Sequence, residues 1–547
     1  MFLVTRILLV AVLLAGQPAV AQNVLDRVEP SAASRDRVPD ETKDTEPAAR
    51  IEVDAPSGAS ESRATVLAGA IALDGLKSLG PADFADIVAE RVGERLGPAD
   101  LATLATAIAD RMRARGFVFG SAWIPVQRIQ NGVLHVSIDE GRIDEIRFDG
   151  ESNAAVRAAL DPLVNGKAAR LDDVERRLLI AGDIDGVVVR STRYVRERER
   201  GILVVRVTTD QIAATATFSN EGTRPIGPEQ IRFDVDLNRV LFSNDALILT
   251  YSGTPVEPRE LQFGRARYGK RIADDGTELA LTASGSIARP GAYLDRLNLE
   301  SRSWFVGASV LRPLWRRRTA SLWLESELGL RNLDQWRDQT RVRHDRIATA
   351  RATLYGYGNI GGGRLRVSTT LSQGLGILGA TRARDPMASR FDADGSFTSF
   401  NAWADWTKGL GRDFSFRVAV QSQLATRPLL IAEETGLGGT SFLRGYDWSE
   451  RTGDQGAMGM VEIRYLWKNP PAIIKRAQIY AFADAGSVSN LRSGFGGGSL
   501  SSAGAGQRAD IAKNLGVTLE VAVPLSGPRY DTGNRSPKLS FRLVRSF

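Results

Sequence analysis

Beyond Asp210 the chain keeps a period of two and loses the helical period. Phe414, Phe416, Val418, Val420 and Leu424 alternate with Ser415, Arg417, Ala419, Gln421 and Gln423. Leu322, Leu324, Leu328 and Leu330 alternate in the same way with Trp323, Glu325, Glu327 and Gly329. Successive side chains of a strand point to opposite faces, so these segments are strands with one apolar and one polar face. A closed barrel in lipid has this pattern, apolar side chains outward and a wet lumen within, because closure leaves no backbone edge unpaired in hydrocarbon. A soluble sandwich alternates too, with its apolar face inward.

The ends of the chain favour the barrel. Arg6 precedes the apolar run Ile7–Ala15, and Ala19-Val20-Ala21 stands before Gln22, so residues 1–21 read as a secretory signal peptide. No later stretch reaches the roughly 18 consecutive apolar residues of a membrane helix, so any crossing is made by strands. Leu539, Phe541 and Leu543 alternate up to Phe547, the pattern of an outer-membrane assembly signal, with Arg545 breaking one apolar position. Residues 211–547 supply about 21 residues for each of about sixteen strands, which leaves room for short turns and long loops. The fold class expected is mainly β, a transmembrane antiparallel barrel of about 16 strands.

Composition removes most enzyme chemistry. There is no cysteine, hence no disulfide, thiolate nucleophile or Cys-bound metal. The two histidines, His135 and His344, lie on unrelated segments, so neither a His-rich metal site nor a Ser-His-Asp triad is supported. No catalytic, cofactor or metal site is expected. The net charge of +7 is spread over 71 basic and 64 acidic residues, and an exported chain does not meet nucleic acid. Gly374-Leu-Gly376-Ile-Leu-Gly379 matches a dinucleotide fingerprint only in its glycines; no helix is expected after it. Arg316–Arg318 reads as a solvated turn or a contact with anionic headgroups. Val523-Pro524-Leu525 reads as a periplasmic turn of the same kind.

Ahead of the barrel the pattern changes twice. Residues 22–64 are rich in Ala, Ser, Pro and charge, read as a mobile linker with room for one short helix at Val24–Glu29. Residues 65–141 read as a β-α-α-β-β module. Ala70–Leu73 is a strand, and Leu101, Leu104, Ala105, Ile108 and Met112 mark a helix stopped by Gly116. Phe117–Ile129 and Val133–Asp139 form a hairpin around Asn131-Gly132. Residues 142–210 repeat that order: Ile143–Phe148, helices Ala154–Leu163 and Leu171–Ala181, then Gly186–Tyr194 paired with Ile202–Thr208.

The densest motif cluster is Gly438-Gly439-Thr-Ser-Phe442-Leu443-Arg444-Gly445-Tyr446, followed by Gly453-Asp454-Gln455-Gly456, Glu462-Ile463-Arg464 and Phe482-Ala-Asp484-Ala-Gly486. Together these resemble the two-partner secretion transporters, the haemolysin and filamentous haemagglutinin secretion/activation proteins. Arg113–Gly116, Trp123–Gln127, Asn131-Gly132 and Glu140-Gly141 resemble that family's first POTRA domain. Pro162-Leu163, Gly166, Val174–Arg176 and Asp183–Gly186 resemble its second. Leu443 stands where the family more often has valine, and 23–63 shows little that would serve as the family's amphipathic pore-plugging helix.

The resemblance implies two periplasmic α/β POTRA domains, 65–141 and 142–210, before an outer-membrane barrel over 211–547. It implies that Arg444, Gly445 and Tyr446 are the tip of an extracellular loop folded into the lumen, received by a lumenal strand carrying Phe482, Asp484 and Gly486. A guanidinium drawn into a partly dehydrated lumen needs an anionic partner, and Asp484 is the partner implied. The expected partners are an unfolded exoprotein captured by the POTRA domains, outer-membrane lipid, and the barrel-assembly machinery during biogenesis, which would read Phe547. Three other readings stay open: an assembly insertase of the same superfamily, a passive porin, and a secreted β-rich enzyme.

Overall fold

A computed structural model describes residues 51–54, 65–197, 200–512 and 514–547. The signal peptide expected at 1–21, the helix at Val24–Glu29 and most of the linker at 22–64 lie outside the described residues.

The first α/β module is a sheet of Ala70–Asp74, Val133–Asp139 and Ser121–Trp123, with Val133–Asp139 in the middle. Helix Pro98–Ala114 covers it with Leu101, Leu104, Ala105, Ile108 and Met112, all buried against Leu134, Val136 and Ile138. The hairpin strand is shorter than the expected Phe117–Ile129, because Pro125 has no N–H to give the ladder. Gln127 replaces the missing rungs: its amide accepts from the His135 N–H at 2.9 Å and donates to the His135 carbonyl at 2.7 Å. Glu140, in the motif that closes the module, accepts the N–H groups of Lys77, Ser78 and Leu79 at 2.7–2.9 Å. It thereby fixes the turn after the first strand.

The second module places Glu145–Phe148, Arg200–Thr209 and Val187–Glu197 side by side in that order, packed on helices Ala154–Leu160 and Leu171–Gly182. Its outer edge is not free. Ile51–Asp54, inside the stretch expected to be linker, forms a strand parallel to Val187–Glu197, with Ile51 opposite Thr192 and Asp54 opposite Val195. An unpaired sheet edge is a template for any extended chain, and here the chain's own upstream segment fills it. The linker reading is corrected at these four residues.

The barrel is a closed sheet of 16 antiparallel strands, from Ile212–Ser219 to Lys538–Ser546. These two end strands pair from Thr215 opposite Ser546 to Ser219 opposite Arg542, which seals the seam. Its parity is inside-out relative to a soluble sandwich. Val306, Leu328, Leu354, Val420, Leu424, Val461, Leu519 and Leu539 point outward and are exposed, while Glu325, Glu327, Asp405, Glu462, Arg464 and Asp484 point inward and are buried. That distribution is the one a lipid-facing wall and polar lumen require. Among the described residues no helix is long and apolar enough to cross a membrane.

The second module sits on the turns at the barrel's near end. Asp183, at the end of helix Leu171–Gly182, receives Arg316 through two bonds of 2.6 and 2.8 Å, and its carbonyl accepts from Arg271. Arg317 pairs with Asp172, and Arg177 with Asp274. The basic run at 316–318 is therefore neither a solvated turn nor a headgroup contact at Arg316, while Arg317 and Arg318 remain exposed. Val523-Pro524-Leu525 is corrected as well: the strand Leu515–Pro524 runs away from the near end, so Leu525 begins a turn at the far rim.

Candidate lumenal lock

Four adjacent strands build the receiving wall: Gln455–Trp467, Arg476–Ser489, Gly498–Ala512 and Leu515–Pro524. Alternation turns Glu462, Phe482, Asp484, Ser502 and Glu520 to the lumen. Register sets Phe482 opposite Glu462 and Ser502 opposite Asp484.

Between Ala425 and Gln455 the chain leaves the wall, and its two limbs pair as a short ladder, Thr435–Leu437 with Arg451–Gly453. The tip beyond that ladder lies inside the barrel. Leu437, Phe442, Leu443 and Tyr446 are buried against Met458, Met460, Val488 and Leu500 of the wall. Burying those side chains supplies the main drive for docking, because each would otherwise face water in the lumen.

Arg444, 5% exposed, lies at the centre. Its backbone N–H and Nε donate to Asp484 Oδ2 at 3.0 and 3.2 Å, and Nη2 donates to Asp484 Oδ1 at 3.1 Å. Nη1 donates to Glu462 at 2.9 Å and to Glu520 at 3.3 Å. The guanidinium carbon stands 3.3 Å from the centre of the Phe482 ring, stacked on its face. Glu462 also accepts from Arg464 and Arg508, and Glu520 from the Tyr480 hydroxyl. Three guanidiniums thus oppose three carboxylates, and the cluster carries no net charge. A buried ion is tolerated only when its charge and hydrogen-bonding capacity are met, which this arrangement does.

The other motif residues do distinct things. A β-carbon on Gly445 would come within 2.9 Å of the Ser502 β-carbon and 3.1 Å of the Pro524 nitrogen, so only glycine lets the tip lie on the wall. One on Gly486 would meet Leu437 at 2.9 Å. Tyr446 is wholly buried, and its hydroxyl sits 3.1 Å from the Gly527 carbonyl in the last far-rim turn. Lys538 holds the adjacent Asp447 at 2.6 Å. Phe547 stands apart from the cluster: the residue is 72% exposed, and its N–H extends the seam to the Ala214 carbonyl.

Glu462, Glu520, Tyr480 and Arg508 belong to the cluster and were not marked as site residues by sequence. Inward parity on neighbouring strands was the available signal, but it does not say which inward charges meet. Beside the tip remains a cavity of about 90 Å³ lined by Glu221, Thr440, Arg444, Glu520, Ser540 and Arg542. This gap is polar and roomy enough to hold ordered water. Among the described residues no cluster of His, Cys, Asp or Glu could hold a metal ion. Nor does a helix follow Gly379, where a dinucleotide site would need one.

Haemolysin secretion/activation protein ShlB/FhaC/HecB is the family that matches residues 200–509, and the ShlB-type POTRA domain matches 68–141. The heme/hemopexin transporter protein HuxB of Haemophilus influenzae is 23% identical over 460 residues, covering 81% of this chain and 80% of that one. The outer membrane transporter CdiB of Dickeya dadantii is 21% identical over 391 residues, covering 69% and 68%. The solved structure of CdiB from Escherichia coli superposes with a TM-score of 0.69 at 18% identity, over 90% of this chain and 92% of that one.

Proposed function

The chain belongs to the ShlB/FhaC/HecB haemolysin secretion/activation family of two-partner secretion transporters, with its barrel in the outer membrane and its POTRA region in the periplasm; from that premise we propose how it moves its cargo. The cargo is one large exoprotein of the β-helical adhesin or haemolysin type, delivered unfolded to the periplasm. The POTRA modules capture it by adding a strand to a sheet edge, a mode in which backbone bonds give affinity without demanding one sequence. The pairing of Ile51–Asp54 with Val187–Glu197 supports this reading, since one such edge already takes an extended segment.

The polypeptide then passes extended through the lumen and folds outside, without ATP, so that folding makes the step irreversible. Sixteen strands enclose a lumen wide enough for an aqueous path once the loop is withdrawn. Arg444 gates that path through Asp484, Glu462 and Glu520, Gly445 and Tyr446 seat the tip, and Phe482 and Gly486 shape its socket. Phe547 addresses the chain to the assembly machinery, and the outward apolar band meets outer-membrane lipid. The observation that carries the reading is the buried Arg444 cluster, whose contacts join the loop tip to the wall and can part without unfolding it.

The test compares the secreted and outer-membrane proteomes of a deletion strain with those of its complemented parent. Loss of one large protein from the medium, other barrels unchanged, is the expected result. General depletion of outer-membrane barrels would make the protein an assembly insertase and overturn the transport reading.

A further inference from the structure

Gly453-Asp454-Gln455-Gly456 takes no part in the Arg444 cluster, yet Asp454 is fully buried. It lies where the loop re-enters the wall, one residue before the strand Gln455–Trp467. Oδ1 accepts from the Leu429 N–H at 2.7 Å, in the limb that leaves the wall, and Oδ2 accepts from the Leu491 N–H at 2.7 Å, in the next far-rim turn. Arg390 Nη1 donates to both oxygens at 2.8 and 2.9 Å from the loop before the strand Thr398–Gly409. Three donor groups make four hydrogen bonds to the carboxylate, two to each oxygen.

Arg390 is itself occupied on every side, giving Nε to Asp392 at 2.8 Å and Nη1 to Glu434 and Asn490 at 3.3 Å, with Nη2 on the Leu491 carbonyl. One buried ion pair therefore closes the neck of the loop and ties it to the turns on both sides. The neck also has its own apolar seat: Leu429 and Leu430 pack with Ile347, Ala393 and Phe397. No residue of that seat belongs to the one beneath the tip.

We infer that Asp454 and Arg390 are positioning residues that clamp the neck of the loop independently of the Arg444 cluster at its tip. The loop then has two attachments with different lifetimes. Release of Arg444 frees the tip, while the neck stays fixed because Asp454 is joined to a wall strand and its loss would leave a buried carboxylate unpaired. The loop pivots about its neck as a hairpin and returns to the same socket after each passage. This inference rests on reading the loop as a gate, but the two attachments are measurable without transport.

The chain lacks cysteine, so nitroxides are introduced cleanly in pairs. Ala432 with Val461 reports the neck, and Ser441 with Val461 reports the tip, in purified full-length protein without exoprotein. Asp454→Asn should at least double the width of the neck distance distribution and leave the tip distribution unchanged; Arg444→Ala should do the reverse. Arg390→Ala, which removes the cation and leaves both N–H donors to Asp454 in place, should widen the neck in the same direction and serves if Asp454→Asn does not fold. A neck unmoved by either variant, or both distances widening together in any of the three, overturns the inference. Failure of secretion to depend on Arg444 would instead sink the gate reading while leaving the distance result intact.

Discussion

Arg444 meets Asp484 through three hydrogen bonds, one from its backbone and two from its side chain, across 40 residues of sequence. The backbone bond makes the contact more than an ion pair, because it sets the path of the chain as well as its charge. Glu462 and Glu520 occupy the remaining guanidinium nitrogen, so the arginine answers three carboxylates at once.

Arg444→Ala should therefore cost more than loss of one pair. It leaves three carboxylates facing only Arg464 and Arg508, an uncompensated buried charge of the kind that costs about 3–5 kcal/mol. Protease cleavage within 435–450 should rise sharply while heat-modifiable migration of the barrel persists. Arg444→Lys keeps the charge but loses the planar fork, and should fall between. Exchanging the charges (Arg444→Asp with Asp484→Arg) should recover little, because Asp at 444 would face Glu462 and Glu520. Full recovery would show that those two glutamates do not matter.

Sequence showed much of this and missed the rest for identifiable reasons. Alternation from Phe414 to Leu424 told which side chains face lipid, because a period of two has one solution on a strand. Asn131-Gly132 marked its turn because both residues take the left-handed conformation, φ of 55° and 73°. Arg444 and Asp484 were legible as motif partners. Arg390 with Asp454, and Asp183 with Arg316, were not: they join segments 64 and 133 residues apart, and no local pattern records such a meeting. Ile51–Asp54 was missed because its alternation, Ile51 and Val53 against Glu52 and Asp54, lasts only four residues in polar surroundings, and its strand exists only by pairing with an edge supplied from elsewhere.

Asp183 should anchor the second α/β module to the barrel. Arg316, mostly buried and 5.0 Å from the Trp323 ring centre, would be left without its carboxylate in Asp183→Ala. Truncating one partner of such a pair costs about 2–5 kcal/mol. Amide exchange in helix Leu171–Gly182 and in the turn 272–277 should accelerate together in the full-length protein. Unchanged exchange at both sites would mean the modules are held by other contacts.

Glu450 should make the far rim pH-sensitive. Burial pushes its carboxyl up to about 7; nearby Asp447 and Asp531 add to the shift, and the N–H groups of Tyr530 and Asp447 oppose it. An acid whose folded value is raised binds its proton more tightly when folded, so its contribution is present below about 4.5 and is lost as pH rises through about 7. Exchange of the Tyr530 amide should quicken between pH 5 and 8 beyond the intrinsic increase, and Glu450→Gln should abolish the excess. An excess that survives the substitution would assign the effect to another group.

The central claim is that the exoprotein travels inside the barrel past Arg444, and neighbouring residues of one strand test it. Ser540 faces the lumen and lines the cavity beside Arg444, whereas Leu539 faces lipid and is 63% exposed. A photo-crosslinking residue at each position, with the exoprotein stalled by a stably folded domain fused to its C-terminus, reads which side of the wall the polypeptide touches. The account predicts crosslinks from position 540 and none from 539; crosslinks from 539 with silence at 540 would place the polypeptide outside the lumen and contradict it.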